Sequence, residues 1–243
     1  MEFYLLASGS KGNCFVLKDY DTKIMIDCGT TKTYLTHSFH NLDLKYNSID
    51  AVLVTHDHSD HTKQIKMFSK HLIYSPTQLK DINCQLVNPY QSFMINHLQI
   101  TPIALSHDAE LNVGYIIETA DEKLVYVTDT GYFSKQNMSY IVGADYYIFE
   151  SNHDPSLLMK TSRPFSIKQR ILSATGHLSN DEASDILASV IDAKCKQVIL
   201  AHISEEANDY DLAQQTLKNK LNGFKVDIKV ARQFEIIKGG NNV

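Results

Sequence analysis

The 243-residue chain contains no tryptophan, only five prolines and four cysteines. The cysteines lack CxxC spacing, so the sequence predicts neither a cysteine zinc site nor a disulfide framework. No apolar run approaches the roughly eighteen residues of a membrane span, and the N-terminus lacks the features of a secretory signal. We therefore expect a cytoplasmic protein without a membrane partner. The net charge of -5 argues against a nonspecific nucleic-acid coat protein, because such proteins cluster lysine and arginine.

The composition is that of a globular protein, with 43% hydrophobic and 21% charged residues. The length suffices for one large hydrophobic core, and no linker-like stretch divides the chain. We predict a single domain over residues 1–238. The glycine- and asparagine-rich end, 239–243, is predicted to be a flexible tail.

Short apolar runs separated by turn residues predict many strands. The first three, 3–6, 14–17 and 23–26, are expected to form an antiparallel sheet. Further predicted strands are 98–105, 114–118, 124–127, 146–150 and 198–201, with a closing hairpin of 226–230 and 234–237. Predicted helices are 31–41, 60–70, 181–193 and 211–221. This order suits a two-layer β-sandwich flanked by helices.

The most informative segment is Thr55-His56-Asp57-His58-Ser59-Asp60-His61, which directly follows the apolar run 49–54. Side chains two apart on an extended backbone point the same way, so His56 and His58 can hold one ion together. Asp60 and His61 begin a predicted helix, where neighbouring side chains diverge by roughly 100 degrees, toward a second position. The segment therefore predicts two divalent ions. Imidazole nitrogen and carboxylate oxygen suit zinc, manganese or iron, which leaves the metal open.

Other polar residues also stand just beyond predicted strands. His107, Asp129 and His202 each follow one, and we expect these strand ends to meet the histidine segment at one edge of the sandwich. An isolated histidine is more often structural, but the accompanying segment favours metal binding for both histidines. Asp129 could also cap the turn that it begins.

The segment matches the HxHxDH signature and thus resembles the metallo-β-lactamase superfamily. The order and spacing of further segments resemble its YycJ subfamily, also called WalJ or VicX. These segments are Ser8-Gly9-Ser10-Lys11-Gly12-Asn13-Cys14, Asp27-Cys28-Gly29, His107-Asp108-Ala109, Thr128-Asp129-Thr130-Gly131-Tyr132, Glu150-Ser151-Asn152-His153-Asp154, Gly176-His177-Leu178-Ser179-Asn180 and Ala201-His202-Ile203-Ser204. The resemblance implies an α+β fold, a four-layer αββα sandwich in one domain, and a two-metal hydrolytic centre.

The resemblance also implies an assignment of ligands. His56, His58 and His107 would hold the first ion. Asp60, His61 and His202 would hold the second, with Asp129 bridging the two. Such ions lower the pKa of the water between them and so provide a hydroxide nucleophile, which Asp60 would orient as a catalytic residue.

His177 resembles the non-ligand histidine that ribonuclease Z-like phosphodiesterases place by the scissile phosphate. We therefore predict it to be a catalytic proton donor or phosphate clamp, although a structural place at the start of the next helix stays open. Glu150 and His153 are predicted to support His177 or the metal ligands from outside, with purely structural roles equally open.

The substrate-binding residues are predicted from charge and turn composition. No acidic residue lies between Asp154 and Asp181, and the four cations there could follow a phosphate backbone or form a solvated loop. The turn before the second strand could direct backbone amides at an anion. The predicted substrate-binding residues are Lys160, Arg163, Lys168 and Arg170 in the first group and Ser8, Ser10 and Asn13 in the second.

These observations favour a metal-dependent phosphodiesterase that acts on nucleic acid. The subfamily resemblance implies a 5'-to-3' DNA exonuclease. Two alternatives stay open at this stage. One is thioester hydrolysis of the glyoxalase II type by a similar two-metal centre, and the other is a regulatory scaffold linked to cell-wall two-component signalling. The sequence does not predict an oligomeric state.

Overall fold

The computed structural model describes residues 1–240 and contains two seven-stranded sheets. The strands are β1 (Glu2–Ala7), β2 (Cys14–Asp19), β3 (Thr22–Ile26), β4 (Ala51–Leu53), β5 (Leu72–Ser75), β6 (Gln85–Leu86), β7 (Phe93–Ile95), β8 (Leu98–Leu105), β9 (Asn112–Glu118), β10 (Lys123–Val127), β11 (Tyr146–Glu150), β12 (Gln197–Ala201), β13 (Asp227–Val230) and β14 (Ile237–Gly240). The α-helices are α1 (Lys32–Asn41), α2 (Ser59–Thr62), α3 (Lys135–Ile141), α4 (Pro155–Lys160), α5 (Phe165–Ile171), α6 (Asn180–Val190) and α7 (Tyr210–Lys220). Two 3-10 turns cover Tyr46–Ser48 and Ile65–Phe68.

The two sheets repeat one topology. The first has the order β14-β1-β2-β3-β4-β5-β6, and the second has the order β7-β8-β9-β10-β11-β12-β13. In both, the first three pairings are antiparallel and the last three are parallel. Asp27 follows β3 and Asp129 follows β10, so these aspartates occupy equivalent places in the two halves. Both have a left-handed backbone, with φ of 58° and 60°. The sequence alone does not display this repeat.

Three buried apolar clusters define four layers. The central cluster lies between the sheets and includes Phe3, Phe15, Tyr115 and Tyr126. A second cluster packs α6 and α7 against the outer face of the second sheet, and a third packs α1 against the outer face of the first. This arrangement confirms the predicted α+β, four-layer αββα sandwich.

Most predicted elements are present within a residue or two of their predicted ends. The helix predicted over 60–70 is a correction, because α2 ends at Thr62 and a 3-10 turn follows. The backbone carbonyl of Asp60 accepts the amide of Asn13 at 2.8 Å, and the Gln64 amide donates to Cys28 at 3.0 Å. The helical bond between Gln64 and Asp60 is therefore absent, and the regular helix stops.

The closing hairpin is a second correction. β13 lies at the edge of the second sheet beside β12, whereas β14 lies at the edge of the first sheet beside β1. Gly239 and Gly240, predicted to lie in the tail, belong to β14 and pair with Phe3 and Glu2. Backbone pairing with a strand more than 200 positions away holds this segment, and the rest of the predicted tail, 241–243, lies outside the described residues. Within residues 1–240, no helix has the length and apolar character needed to cross a membrane.

Candidate metal centre

The ends of several strands bring the predicted ligands to one edge of the sandwich. His56 and His58 follow β4, Asp129 follows β10 and His202 follows β12. Asp129 and His202 both have a left-handed backbone, which costs free energy for a residue with a Cβ. The His202 amide donates to Ser8 Oγ at 2.7 Å, and its carbonyl accepts from Asn152 at 2.8 Å. These bonds hold the imidazole of His202 at the edge despite the unfavourable backbone.

The first group of potential ligands contains three histidines. Each of His56, His58 and His107 offers a ring nitrogen, and the three nitrogens lie within 4.8 Å of one another. His107 Nδ1 lies 3.3 Å from the Gly176 carbonyl, which leaves Nε2 for another partner. The cluster has the nitrogen donors that borderline divalent ions prefer.

A second group of potential ligands surrounds Asp129 and includes His61 and His202. Its Oδ2 lies 3.3 Å from His61 Nε2, while its Oδ1 lies 3.4 Å from His202 Nε2 and 3.8 Å from His107 Nε2. The carboxylate thus stands between nitrogens of both groups, which is the place predicted for a bridging ligand. The Asp60 carboxylate lies 3.7 Å from His61 Nε2 and is partly exposed.

Three of the buried polar atoms at this edge make no hydrogen bond of good geometry with the described residues, and two of them take part only in the longer ion pairs given above. They are His56 Nε2, His202 Nε2 and Asp129 Oδ2. A buried polar atom without a good hydrogen bond is unfavourable, so three of them together at one edge need an explanation. Divalent cations would satisfy all three atoms, and the surrounding imidazoles and carboxylates are suitable donors. The residues therefore fit the divalent ions that the family implies.

A carboxylate that sequence reasoning missed orients His61. Asp27 Oδ2 accepts from His61 Nδ1 at 2.7 Å, and Thr55 donates its amide and its hydroxyl to the same carboxylate at 2.9 Å. His61 Nε2 lies 2.9 Å from Asn13 Nδ2, and in the neutral imidazole it carries the lone pair that a metal would use. The available signal was an aspartate placed just beyond a buried strand, as Asp129 is.

Glu150 connects two histidines of the site. Its Oε1 accepts from His177 Nδ1 at 2.8 Å and from His202 Nδ1 at 2.9 Å. This fixes both imidazoles with a proton on Nδ1, so Nε2 is the atom that each can use elsewhere. Glu150 therefore has the position predicted for a supporting residue.

The electrostatics follow from these contacts. Burial alone lowers the pKa of His202, but Asp129 and Glu150 outweigh burial and raise it to about 9. Burial also lowers the pKa of His61, but the negative charges of Asp27 and Asp129 outweigh burial and raise it well above its usual value. Burial would raise the pKa of Asp129, yet the imidazoles of His202 and His61 hold it well below the usual value. Without metal, protonated His61 and His202 therefore form ion pairs with the ionised carboxylate of Asp129.

These pKa shifts predict that metal affinity rises with pH. A metal must displace the extra proton of His202 while that group is protonated, below about pH 9, and deprotonation removes this competition above it. We expect the apparent affinity for Zn²⁺ to increase up to about tenfold per pH unit between pH 7 and 9 for each proton released. Competition with a chelator of known affinity measures this. Glu150→Gln is the control, because it should shift the steep range to lower pH, and a flat wild-type profile would contradict the prediction.

Four further predicted residues differ in how they contact the centre. Ser8 and Asn13 contact His202 and His61 as described, so both are committed to positioning histidines. Ser10 lies at the wall of a cavity beside the centre. His153 is buried, and neither of its ring nitrogens has a hydrogen-bond partner among residues 1–240. It therefore gives no ligand the side-chain bond that was predicted, and only its carbonyl is used, by the Asn180 amide at 2.9 Å.

The four predicted cations divide by their surroundings. Arg163 and Arg170 border the same cavity, of about 110 Å³, together with His177 and His202. Lys160 is exposed at the end of α4. Lys168 is buried, and its ammonium donates to the carbonyls of Met159 and Thr161 at 2.7 and 2.8 Å. The structure thus commits Lys168 to holding α4 and α5 together and does not bring it to the cavity.

Comparisons with known proteins agree with this geometry. Residues 22–203 match the family model described as the beta-lactamase superfamily domain. Exodeoxyribonuclease YycJ of Bacillus anthracis is 33% identical over 97% of this chain and 94% of its own length, and exodeoxyribonuclease WalJ of Streptococcus pneumoniae is 30% identical over 97% and 93%. The metallo-β-lactamase fold protein YhfI of Bacillus subtilis superposes with a TM-score of 0.73 at 17% identity, over 98% of this chain and 99% of YhfI. The chain is therefore a metal-dependent hydrolase that belongs to the metallo-β-lactamase superfamily, in the group that includes YycJ and WalJ.

Proposed function

We propose that this protein is a phosphodiesterase that degrades DNA from its 5' end, using two divalent ions held by the seven predicted ligands. The observation that carries the proposal is the cavity beside the candidate metal centre, where His177 stands with Arg163 and Arg170. Guanidinium groups match phosphate oxygens in charge and geometry, and a thioester offers them no such partner. The names of the YycJ and WalJ relatives support DNA as the substrate.

The chain's own residues would divide the work of hydrolysis. Bound divalent ions supply an activated water and neutralise negative charge on the phosphate. Asp60, partly exposed beside His61, would accept a hydrogen bond from the attacking water and orient it. Arg163 and Arg170 would hold the phosphate by charge-assisted hydrogen bonds.

His177 would give a proton to the departing oxygen. Glu150 accepts from its Nδ1 at 2.8 Å, which orients the ring. Nε2 is then the nitrogen left to donate a proton. The same Glu150 oxygen accepts from His202, so movement of the proton donor and of a metal ligand would be coupled.

The proposal is tested with metal-loaded protein and linear duplex DNA labelled at either the 5' or the 3' end. We expect early release of the 5' label as short products, hydrolysis of bis(p-nitrophenyl) phosphate, and loss of both activities on chelation. Closed circular DNA is the control and should stay intact. Absence of turnover with zinc, manganese and iron would refute the phosphodiesterase, whereas early release of only the 3' label would refute the polarity.

Replacing His177 with alanine separates proton donation from metal binding. We expect kcat for DNA to fall by about 10²–10⁴-fold, the usual contribution of a positioned general acid, with metal content nearly unchanged. Metal analysis and single-turnover kinetics measure the two effects. His40→Ala, on the exposed face of α1, is the matched control. Loss of a metal equivalent from His177→Ala would show that His177 is a ligand.

A further inference from the structure

The helices α4 and α5 form an arm, residues 155–172, that borders the candidate active site. Arg163, Arg170 and Ile171 from this arm line the cavity that His177 and His202 also line. A nucleic-acid strand with a phosphodiester in this cavity would therefore lie next to the arm.

The arm is attached to the rest of the protein by buried side chains, and its solvent-exposed side chains are not needed for this attachment. Leu158 and Ile171 pack with Ala207 in a small buried cluster, and Asp154 caps α4 by accepting the Leu157 amide at 2.8 Å. The buried ammonium of Lys168 ties the two helices together as described above. These inward contacts leave the other face of the arm available to a ligand.

The exposed side chains of the arm include both apolar and cationic residues. The large exposed apolar residues of the arm are Met159, Phe165, Ile167 and Leu172. Phe165 is 63% exposed and follows Arg163 by two positions. A stretch of chain that contains an exposed aromatic ring and several cations but no acidic residue has the composition of segments that bind single-stranded nucleic acid.

The existing ion pairs of the arm do not prevent such binding. Arg163 Nε donates to Glu206 at 2.8 Å, and Arg170 donates to Asp108. Both carboxylates are exposed, and exposed ion pairs contribute little to stability. A phosphate can therefore replace either carboxylate at low cost.

We propose that the arm binds an unpaired stretch of the nucleic-acid substrate next to the phosphate held by Arg163 and Arg170, with Phe165 stacked on a base and Lys160 on an adjoining phosphate. This inference rests on the proposed phosphodiesterase and names the form of substrate that it grips. Stacking requires an exposed face of a base, so the arm distinguishes unpaired from paired strands. The contact positions the strand and takes no part in bond cleavage.

The test compares KM and kcat of metal-loaded wild type, Phe165→Ala and Phe165→Tyr on a single-stranded 20-mer and on the corresponding blunt duplex. We expect Phe165→Ala to raise KM for the single strand about fivefold or more, with a smaller effect on the duplex and on kcat, and Phe165→Tyr to restore binding. Lys160→Gln should flatten the slope of log KM against log salt by about 0.7, the share of one phosphate contact on a single strand. Phe224→Ala is the matched control, because Phe224 is 43% exposed and lines a different cavity. Its KM for both substrates should equal that of wild type.

Several outcomes would overturn the inference. One is a KM for Phe165→Ala equal to that of wild type or of Phe224→Ala, and another is an equal effect on single strand and duplex. A change in mass by light scattering in Phe165→Ala would instead identify the arm as a protein interface. Wild-type hydrolysis of bis(p-nitrophenyl) phosphate separates the two proposals, because its absence refutes the phosphodiesterase itself, whereas its presence with unaffected Phe165→Ala refutes only the arm.

Discussion

Asp129→Asn is expected to lose bound metal and to lower kcat/KM by on the order of 10³-fold or more, since ions at such a site contribute several kcal/mol to catalysis. The carboxylate lies within 3.8 Å of the Nε2 atoms of His61, His107 and His202, and it supplies the negative charge between them. Its lowered pKa keeps it ionised at neutral pH. An amide keeps the shape but removes the charge and directs an N–H group toward one side of the centre.

Metal content by elemental analysis and hydrolysis of DNA measure this effect. Asp121→Asn is the matched control, because Asp121 lies exposed before β10 whereas Asp129 follows the same strand. The control should keep the metal content and the activity of wild type. Full metal occupancy in Asp129→Asn would contradict the central position given to this carboxylate.

Gly29→Ala is expected to destabilise the protein by about 3 kcal/mol or more and to impair metal binding. A Cβ at Gly29 would lie 1.5 Å from the carbonyl oxygen of Asp60 and 2.5 Å from the amide nitrogen of His61. Backbone atoms cannot turn aside as a flexible side chain can, so the histidine segment itself would have to move. Denaturant unfolding and zinc titration of the same samples measure both consequences.

Gly223→Ala separates this clash from the general cost of replacing a glycine. Gly223 has a left-handed φ of 99° and no atom within 4 Å of an added Cβ, so strain alone should cost about 1 kcal/mol. Its zinc affinity should equal that of wild type. Equal stabilities for the two variants would refute the close packing of Gly29 on the metal-binding segment.

The sequence predicted the fold best where neighbouring elements pair. The first three strands lie close together in sequence, as do β9 and β10, and their apolar runs and turns were enough to predict these strands. The pairing of β14 with β1 joins the two ends of the described chain, and nothing local distinguishes that pairing from a hairpin with β13. The predicted helix over 60–70 failed for a similar reason, because Asn13 and Gly29, both distant in sequence, contact the Asp60 carbonyl.

The candidate site shows the same division. The histidine segment is compact in sequence, and its side-chain directions follow from strand and helix periodicity. Asp27 was missed because an aspartate before Cys28-Gly29 is equally typical of a turn. Lys168 was misplaced because sequence gives its charge but not its direction, and its carbonyl partners, Met159 and Thr161, become evident only once α4 and α5 are packed.

The repeated topology has a consequence for how the centre tolerates change. His61 lies between two carboxylates from equivalent turns, with Nδ1 on Asp27 of its own half and Nε2 toward Asp129 of the other. The imidazole of His61 therefore connects the two halves of the molecule. The geometry of the ligands depends on how the two sheets pack against each other. Mutations that slide one sheet over the other by a fraction of an ångström should disturb metal selectivity well before either half loosens.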